Sequence, residues 1–420
     1  MAVSPLVTAP GEPSQTSTTN AAASPFKRLP SAVPSSSTGT PMLLGHHQSQ
    51  NAPSAGGGAS TMTLDPIEQM NETEKRKYIK GKKLGEGTYA NVYLGHSRSD
   101  PSVLVAIKKI KVQQQYRDGL PLDAIRETKW LRELHHPNII SLLSVFSSKD
   151  QNLNLVLEYL PLGDLEMLIR DIDNVTYGAA DIKAWMGMLT RAVWFCHDNW
   201  VLHRDIKPNN LLIAADGEVK LADFGLARGF GDPGYKMTSN VITRWYRPPE
   251  LLFGARHYAG AVDIWSVGTV FAELILRTAF LPGNTEVEQI ALICRAIGTP
   301  NEDNWPGVTQ LREYTVPSET FPVVGKDSYM ARFGAVGPDG VDLLMKTLVL
   351  DPKNRITAKQ MLEHRWWHVD PKPRSKEDLP RKAEGGDKKM GADLKRRNGL
   401  VEDEPRGQKV ARKLDFGQGK

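Results

Sequence analysis

A glycine-rich segment of the sequence has the composition of a phosphate-binding loop. It reads GEGTYANV from Gly85 to Val92 and lies between two segments with strand-like alternation. Glycine lets the backbone approach a phosphate closely and leaves its N–H groups accessible. An ordinary hairpin turn would explain the same residues equally well. A dinucleotide-binding loop is disfavoured, because a strand pattern rather than a helix follows and Ala90 replaces the third glycine.

Four further motifs follow this loop in a fixed order. VAIK ends at Lys108 on a predicted strand, HRDIKPNN runs from His203 to Asn210, DFG begins at Asp223, and PPE ends at Glu250. Each motif occurs by chance in many proteins, but coincidence does not account for all of them in this order and spacing. The set is the protein-kinase signature, and the sequence is identified as a member of that family.

The signature implies a division of labour among these residues. The glycine loop would cover the phosphates of ATP, and Lys108 would contact the α- and β-phosphates. Asp205 would orient the substrate hydroxyl and accept its proton, while Lys207 would stabilise negative charge on the moving phosphoryl group. Asn210 and Asp223 would supply oxygen ligands to Mg²⁺. ATP and Mg²⁺ are therefore the expected cofactors.

The ATP site is expected to combine the glycine loop with apolar residues of neighbouring strands. Leu157 resembles the gatekeeper residue of the family, and backbone groups of Glu158 and Leu160 should meet the edge of the adenine. The predicted ATP-binding residues are Leu84, Gly85, Glu86, Gly87, Thr88, Tyr89, Ala90, Val92, Ala106, Lys108, Leu157, Glu158 and Leu160.

These motifs require a scaffold of two unequal parts. From Tyr78 onward the sequence alternates like five strands with one helix at about 121–135, whereas the apolar spacing after Asp164 is helical. We predict an α+β, bilobal protein-kinase fold. A small five-stranded N-terminal lobe with one main helix would cover about 78–160, and a larger, mostly helical C-terminal lobe would cover about 161–367. Ligand sites favour such junctions.

The two ends of the chain differ in composition from this kinase domain, which is predicted at 74–367. Residues 1–73 are rich in Ser, Thr, Pro, Gly and Ala and cannot bury enough apolar surface to offset the entropy of ordering, so we predict a disordered extension. Residues 368–420 are polar and charged and are predicted to form a second disordered tail. The basic cluster at 388–397 would either assist nuclear entry or simply be solvated.

Composition excludes several classes of protein. The chain has 420 residues, of which 40% are hydrophobic and 24% charged, as in a globular protein with a sizeable core. Its two cysteines, Cys196 and Cys294, exclude a disulfide framework or a cysteine zinc site. No segment approaches the ~20 apolar residues of a membrane span. The net charge of +5 is not gathered into a basic stripe, so direct nucleic-acid binding is not predicted.

The helix of the small lobe should supply the partner of Lys108. It begins in the sequence GLPLDAIRE, where Pro121 and Asp123 suit a helix start. A lysine that must stay on the phosphates needs a nearby carboxylate, and Glu127 is the candidate. Arg126 is adjacent, but neighbouring helical residues do not face each other and so must have different partners.

The same helix resembles the PSTAIRE helix of cyclin-dependent kinases. HRDIKPNNLLI, DFGLAR and VITRWYRPPELLFGARHY are similar to that family, and the resemblance covers residues 78–367. Several features resemble one branch, the cyclin-dependent kinase-activating kinase of transcription factor IIH: Ala90, DLE at 164–166, Arg244, LLFGAR at 251–256 and FLPG at 280–283.

This resemblance implies a helix that is positioned by a cyclin. It also implies an activation segment, from Asp223 to Glu250, with a phosphorylatable threonine at Thr238. A phosphate there would carry about −1.5 to −2 charges. Arginine pairs with phosphate bidentately, and the expected phosphate clamp is formed by Arg126, Arg204 and Arg228.

Three features depart from the common pattern or leave alternatives open. Pro248 replaces the alanine of the usual Ala-Pro-Glu, while Glu250 is expected to pair with Arg355. Asp232 stands where relatives tend to have a serine, so a second phosphorylation site is predicted to be absent. Thr88–Tyr89 match a pair that is inhibited by phosphorylation in cell-cycle members, but two ordinary loop residues explain them as well.

The resemblance also implies substrates and partners. Val241 and Arg247 resemble residues that shape a site for proline after the phosphorylated residue, so Ser-Pro and Thr-Pro sites are expected. The RNA polymerase II C-terminal domain is the first expected substrate, and activation-segment threonines of other cyclin-dependent kinases are the second. An H-type cyclin, an assembly factor of the MAT1 type and the transcription factor IIH core are the expected partners, in the nucleus.

Two alternative functions come from different classes. A cell-cycle cyclin-dependent kinase is the alternative within the enzyme class, and its partner would be a mitotic cyclin alone. A pseudokinase scaffold is the alternative outside it, and the intact motif residues argue against a scaffold.

Overall fold

The computed structural model describes residues 65–86, 90–111, 121–148, 152–231, 236–315 and 319–381. Its first part contains helix α1 (Pro66–Arg76), strands β1 (Tyr78–Glu86), β2 (Ala90–Ser97) and β3 (Leu104–Ile110), helix α2 (Leu122–Glu133), and strands β4 (Leu142–Ser147) and β5 (Leu153–Glu158). The strands form one antiparallel sheet in the order β1-β2-β3-β5-β4. The predicted five-stranded lobe with one main helix between its strands is confirmed.

Strand β3 is buried on both faces, and this arrangement orients Lys108. On one face, Val105 and Ile107 form a small apolar cluster with Val156. On the other face, Ala106 belongs to the main hydrophobic core. Because side chains alternate along a strand, Lys108 lies on the same face as Ala106 and points toward the main core.

Helix α2 presents Glu127 to the interior. Its buried positions are Ala124, Glu127 and Leu131, which are spaced by three and four residues and so form one stripe. Pro121 is the residue that precedes the first turn, and the helix begins at Leu122.

The remaining described residues form a mostly helical lobe, which confirms the α+β bilobal prediction. Four short strands pair in two antiparallel ladders: β6 (Val201–Leu202) with β9 (Arg228–Gly229), and β7 (Leu211–Ile213) with β8 (Val219–Leu221). The helices are α3 (Leu165–Arg170), α4 (Ala179–Asp198), α5 (Pro249–Leu252), α6 (Ala261–Leu276), α7 (Glu286–Ile297), α8 (Lys326–Phe333), α9 (Gly337–Thr347) and α10 (Ala358–Leu362).

These ladders bring the predicted motifs together. The HRDIKPNN segment connects β6 to β7, and the DFG segment connects β8 to β9. At the end of the β7–β8 ladder, the Ala222 N–H donates to the Asn210 carbonyl at 2.9 Å. Asn210 and Asp223, which are separated by a hairpin in sequence, are therefore neighbours in space.

The ordered region begins before residue 74, which corrects the predicted extent of the disordered extension. Helix α1 lies within the segment 1–73. The side-chain amide of Asn71 donates to the Ser147 carbonyl at 3.0 Å and accepts from the Ser147 N–H at 2.6 Å. The helix thereby covers the outer edge of β4, where strand backbone groups would otherwise be unpaired. The predicted disorder of residues 1–64 lies outside the described residues.

The ordered region also continues past residue 367, a second correction. Lys183, which is buried in α4, donates to the Val369 carbonyl at 2.9 Å. Leu379 is buried in the main core. A buried apolar side chain and a buried ammonium thus help to order residues 368–381, whose composition by itself predicted disorder. Residues 382–420, including the basic cluster at 388–397, lie outside the described residues.

Both cysteines are buried, and burial raises the pKa of the Cys196 and Cys294 thiols. In the part of the chain that the structure describes, no helix combines the length and hydropathy needed to span a bilayer.

A buried ion pair anchors the end of the activation segment. Arg355 donates from Nη1 to Glu250 Oε1 at 2.8 Å and from Nη2 to Oε2 at 3.0 Å. The two side chains are only 0% and 3% exposed. Arg355 Nη1 also donates to the Ala261 carbonyl at 2.6 Å, which ties the pair to the start of α6. The expected pairing is confirmed, with Pro248 in place of the usual alanine.

We expect Arg355→Ala to lower the free energy of unfolding by about 3–5 kcal/mol, because it leaves a carboxylate buried without its partner. The matched control is Arg365→Ala. Arg365 pairs with Asp339 at 2.8 Å, but its side chain is 73% exposed. An exposed pair of this kind contributes about 1 kcal/mol or less. Urea denaturation measures both changes, and equal effects would contradict the structural role of the Glu250–Arg355 pair.

Candidate active site

The side chains of Lys108 and Glu127 form a nearly buried ion pair. Lys108 Nζ donates to both carboxylate oxygens of Glu127 at 2.7 Å. The Lys108 side chain is 14% exposed and that of Glu127 is 4% exposed. Asp223 Oδ1 lies 3.7 Å from the same Nζ. The structure therefore brings the predicted lysine, its helix partner and the DFG carboxylate to one point.

Helix α2 packs against the residues that follow Asp223. Trp130 Nε1 donates to the Ala227 carbonyl at 3.1 Å. Gly225 lies so close to the helix that an added Cβ would be 3.4 Å from the Cβ of Asp123 and 3.3 Å from Asp223 Oδ1. The position of the helix and the position of the Asp223 carboxylate are consequently set together.

The Asp205 carboxylate is held by three side chains. Lys207 Nζ donates to Oδ2 at 2.9 Å and Asn210 Nδ2 donates to Oδ2 at 3.0 Å. The Thr243 hydroxyl donates to Oδ1 at 2.8 Å and accepts from Lys207 Nζ at 3.0 Å. Thr243 belongs to the activation segment, so it joins that segment directly to the predicted proton acceptor.

A buried carboxylate on α6 holds the backbone of the HRDIKPNN segment, His203–Asn210, which we call the catalytic loop. Asp263 on α6 accepts from the N–H of His203 at 3.0 Å and from the N–H of Arg204 at 2.9 Å. His197 Nε2 lies 2.9 Å from Asp263 Oδ2. Burial acts to raise the pKa of Asp263, but hydrogen bonding and electrostatic attraction, of which the hydrogen bond to His197 is the largest, outweigh burial and lower it. Asp263 therefore stays ionised and can accept all three bonds.

His203 is buried as a neutral ring. The Asp205 N–H donates to Nδ1 at 3.2 Å, so the ring proton must be on Nε2, which lies 3.1 Å from the Ala222 carbonyl. Burial lowers the pKa of His203, in agreement with this neutral form. The ring also contacts Phe224 edge-on, with centroids 4.7 Å apart. His203 thus connects the catalytic loop to the DFG segment.

Asn210 and Asp223 fit the requirements of a magnesium site. Asn210 Nδ2 donates to the Asp205 carbonyl at 2.7 Å, which fixes the amide plane and presents its oxygen as the acceptor. A carboxylate and an amide oxygen are hard ligands, and Mg²⁺ is commonly held by one or two carboxylates together with substrate phosphates and water. Within the described residues, no group of three or more His, Cys, Asp or Glu is arranged to hold a metal. Asn210 and Asp223 have the donor atoms that would hold Mg²⁺ with the nucleotide, and this role stays a prediction.

The apolar residues predicted to bind ATP share one cluster. All of them are buried in the main hydrophobic core: Leu84, Ala90, Val92, Ala106, Leu157 and Leu160. The Glu158 carboxylate is occupied by the Ser141 N–H at 2.8 Å and by Lys220 Nζ at 2.9 Å. Because the carboxylate is already hydrogen-bonded, only the backbone of Glu158 is available for its predicted contact with adenine.

The glycine loop is described only at its two ends. Gly85 and Glu86 end β1, and Ala90 begins β2. Lys111 and Lys83 pair with the Glu86 carboxylate at 2.8 and 2.5 Å. These hydrogen bonds, that from Lys111 first, hold the pKa of Glu86 at about 2. The predictions for Gly87, Thr88 and Tyr89 lie outside the described residues, as does the prediction for Asp232.

The guanidinium of Arg247 organises the predicted proline site. Its Nε donates to the Val241 carbonyl at 3.0 Å, and its Nη2 donates to the Ile242 carbonyl at 3.1 Å. Glu286 accepts from Nη1 at 2.6 Å. Ile242 has a φ of 68°, a left-handed conformation that β-branched residues rarely adopt. Arg247 therefore holds a strained turn in which both carbonyls are already hydrogen-bonded.

Arg204 is connected to Thr238 through a tyrosine. Arg204 is almost fully buried, and its Nε donates to the Leu226 carbonyl at 2.8 Å. Its Nη1 donates to the Tyr258 hydroxyl at 2.9 Å, and that hydroxyl donates to the Thr238 carbonyl at 2.7 Å. The structure thus brings one arginine of the predicted clamp to the backbone of the predicted phosphorylation site.

The other two arginines of the clamp are placed less directly. Arg126 Nη1 lies 3.7 Å from Asp123 Oδ1 of its own helix. Arg228 pairs with Leu202 in the β6–β9 ladder. Its charge lies near enough to the Tyr258 hydroxyl to act on its pKa. Contact of these two arginines with a phosphate on Thr238 stays a prediction.

Sequence reasoning missed four residues of the site. Ile242 carries the positive φ, Thr243 binds Asp205, Tyr258 bridges to Thr238, and Asp263 holds the catalytic loop. Ile242, Thr243 and Tyr258 lie within the segment VITRWYRPPELLFGARHY, but the resemblance of that segment did not indicate these roles. Each of the four acts through a partner distant in sequence or through backbone geometry.

The chain matches one protein-family model and is similar in sequence to several known proteins. The family model of the protein kinase domain matches residues 78–367. Serine/threonine-protein kinase KIN28 of Saccharomyces cerevisiae is 49% identical over 297 residues, which are 71% of this chain and 95% of that protein. Cyclin-dependent kinase 7 of Dictyostelium discoideum is 45% identical over 300 residues, which are 71% of this chain and 81% of that protein.

One solved structure is more similar still. A chain in the structure of the CAK complex from Chaetomium thermophilum bound to ATP-gamma-S is 78% identical. Its TM-score is 0.75, and the match covers 76% of this chain and 100% of that chain.

We expect Glu127→Gln to lower phosphoryl transfer by roughly 10²–10⁴-fold, because it removes the charge from a buried pair worth about 3–5 kcal/mol to break. Glu133→Gln is the matched control, since Glu133 is an exposed carboxylate on the same helix. Radiolabelled phosphate transfer by the intact complex measures both. Activity of the Glu127→Gln protein equal to that of the control would refute the role of the ion pair.

Proposed function

The chain belongs to the protein kinase family, in the group of cyclin-dependent serine/threonine kinases that includes KIN28 and cyclin-dependent kinase 7, and we propose that it is the catalytic subunit of the transcription factor IIH kinase module. The observation that carries an enzymatic role is the assembly of Lys108, Glu127, Asp205, Asn210 and Asp223 at one site. A scaffold without activity would not need the two buried ion pairs, Lys108–Glu127 and Lys207–Asp205, at this site.

Asp205 is the residue that accepts the proton of the substrate hydroxyl. Thr243 holds one of its oxygens, and Lys207 and Asn210 hold the other, so the carboxylate is oriented before a substrate arrives. Such preorganisation supplies catalysis without reorganisation during the reaction. Lys207 is the residue we propose to stabilise negative charge on the moving phosphoryl group. When bound, Mg²⁺ neutralises charge on the β- and γ-phosphates of ATP.

We propose Ser-Pro and Thr-Pro sequences as substrates, with the RNA polymerase II C-terminal domain first and activation-segment threonines of other cyclin-dependent kinases second. The support comes from Arg247, whose guanidinium occupies the carbonyls of Val241 and Ile242. A substrate residue at this turn would find no carbonyl acceptor for its N–H, and a buried unsatisfied donor costs about 1–3 kcal/mol. Proline has no N–H and avoids this cost.

A set of three heptad-derived peptides tests this mechanism. The residue after the phosphorylated serine is proline, alanine or N-methylalanine. We expect kcat/KM for Ser-Pro to exceed that for Ser-Ala by roughly 10–100-fold, the equivalent of about 1–3 kcal/mol. N-methylalanine also lacks the N–H and should recover most of the loss. Equal rates for proline and alanine peptides would exclude a proline-directed kinase, while failure of N-methylalanine alone would assign selectivity to the proline ring.

We propose that a cyclin, of the H type, binds the outer face of α2. Leu122 is 57% exposed and Ile125 is 48% exposed. At 100° per residue they lie on the side of the helix opposite Glu127. Exposed apolar side chains of this size are typical of an interaction site. A partner on that face would hold Glu127 against Lys108. An assembly factor of the MAT1 type and the transcription factor IIH core complete the proposed complex, in the nucleus.

We propose Thr238 as the phosphorylation site of the activation segment. Its side chain is exposed, and its backbone is two hydrogen bonds from the Arg204 guanidinium. A phosphate would add charge-assisted hydrogen bonds to Arg204, and Arg126 and Arg228 are the further candidates.

Purification of the native complex through this chain, followed by mass spectrometry, tests the partners and the modification together. We expect a cyclin, an assembly factor and transcription factor IIH subunits, together with a phosphorylated peptide that contains Thr238. Recovery of a mitotic cyclin alone would favour a cell-cycle kinase. An active complex whose Thr238 peptide is never phosphorylated would refute Thr238 as the activating site.

A further inference from the structure

The Tyr258 hydroxyl lies between the catalytic loop and the activation segment. It accepts from Arg204 Nη1 at 2.9 Å and donates to the Thr238 carbonyl at 2.7 Å. Burial raises the pKa of Tyr258 although the positive charges of Arg204 and Arg228 act to lower it, so the hydroxyl keeps its proton at neutral pH. It can therefore accept and donate at the same time.

A second contact attaches the same part of the activation segment. The Met237 N–H donates to the Arg256 carbonyl at 2.8 Å, and the Met237 side chain is buried in the main core. Residues 237–238 are thus held against the loop that precedes α6 by one backbone bond, one buried side chain and the Tyr258 bridge. Among these contacts, only the Tyr258 bridge also reaches the catalytic loop.

The bridge does not use the side chain of Thr238. Tyr258 binds the backbone carbonyl, which is present whether or not the threonine hydroxyl is phosphorylated. Arg204, for its part, is already fixed at Nε by the Leu226 carbonyl and at Nη1 by Tyr258. The segment is therefore joined to a catalytic-loop arginine without any phosphate.

We propose that Tyr258 is a positioning residue that holds the activation segment to the catalytic loop before Thr238 is phosphorylated. This proposal deepens the proposed function and rests on it, because it concerns the unphosphorylated state of the same kinase. The segment continues from Thr238 to Ile242, which is part of the turn proposed to receive the substrate, and to Thr243. The hydroxyl of Thr243 donates to Asp205. Release of residues 237–238 would loosen that turn and weaken binding of the peptide substrate.

Phosphorylation of Thr238 should make this bridge redundant. A phosphate adds new hydrogen bonds between the segment and Arg204, each stronger than the bond between neutral groups that Tyr258 makes to the carbonyl. The contributions of Tyr258 and of the phosphate should consequently be non-additive, as expected for two groups that act on one contact.

The test compares Tyr258→Phe in two states of the cyclin-bound complex, one carrying Thr238→Ala and one phosphorylated on Thr238. Alanine keeps the backbone carbonyl, so the bridge survives in the first state. There we expect Tyr258→Phe to raise the peptide KM roughly tenfold, as the loss of a hydrogen bond that involves a charged group would. In the phosphorylated complex we expect a rise of roughly twofold or less. The KM for ATP should not change in either state.

Tyr314→Phe is the matched control. Tyr314 also donates from its hydroxyl to a backbone carbonyl, that of Pro300, at 2.9 Å, and this carbonyl is not part of the activation segment. It should leave the peptide KM unchanged in both states. Hydrogen exchange of residues 236–240 gives a readout independent of activity, and we expect faster exchange only for Tyr258→Phe in the Thr238→Ala state.

Several results would overturn the proposal. They are an unchanged peptide KM for Tyr258→Phe in the Thr238→Ala state, an equal rise in both states, or an equal rise in the KM for ATP. If phosphorylation of Thr238 has no effect on the wild-type complex, the proposed phosphate clamp fails instead. The role of Tyr258 is still tested in that case, because the Thr238→Ala complex contains the bridge and has no phosphate.

Discussion

The site depends first on the ion pair between Lys108 and Glu127. It joins a strand that is buried on both faces to the single helix between strands of the small lobe. Because the Glu127 carboxylate is almost completely buried, loss of its partner would leave an uncompensated charge in the interior, which is strongly unfavourable. The pair therefore forms in one pose of the helix. Since that helix also packs on the DFG segment, the same contacts set its pose and the position of Asp223.

In the larger lobe, a buried carboxylate likewise holds the segments that lack regular secondary structure. The catalytic loop has little regular structure of its own, yet Asp263 accepts hydrogen bonds from the backbone of His203 and Arg204. Buried backbone donors need such acceptors, and a buried carboxylate that serves several of them makes the loop rigid. Thr243 and Tyr258 then attach the activation segment to this rigid loop. The activation segment is consequently joined to Asp205 through Thr243 and to Arg204 through Tyr258.

The errors of the sequence analysis lie where a segment is stabilised by distant residues. Helix α1 is ordered by Asn71, whose partner Ser147 is 76 positions away. Residues 368–381 are ordered in part by Lys183, which is 186 positions from its partner Val369. The composition of a local window indicates how much apolar surface a segment has. It does not indicate which contacts the rest of the folded protein makes with that segment. Both ordered boundaries therefore extend beyond the predicted ones.

The sequence by itself identified the motif residues that the structure brings together at one site, and the order of the elements that carry them. Motifs such as HRDIKPNN and DFG are recognisable because phosphoryl transfer needs those residue types at short, constant spacing. Alternation along β3 and helical spacing in α2 are local properties as well. Only the tertiary structure decided that Ile242 adopts a positive φ, that Thr243 binds Asp205, and that Tyr258 joins Arg204 to Thr238. These features arise from contacts between segments far apart in the chain, and such contacts exist only once the lobes have packed.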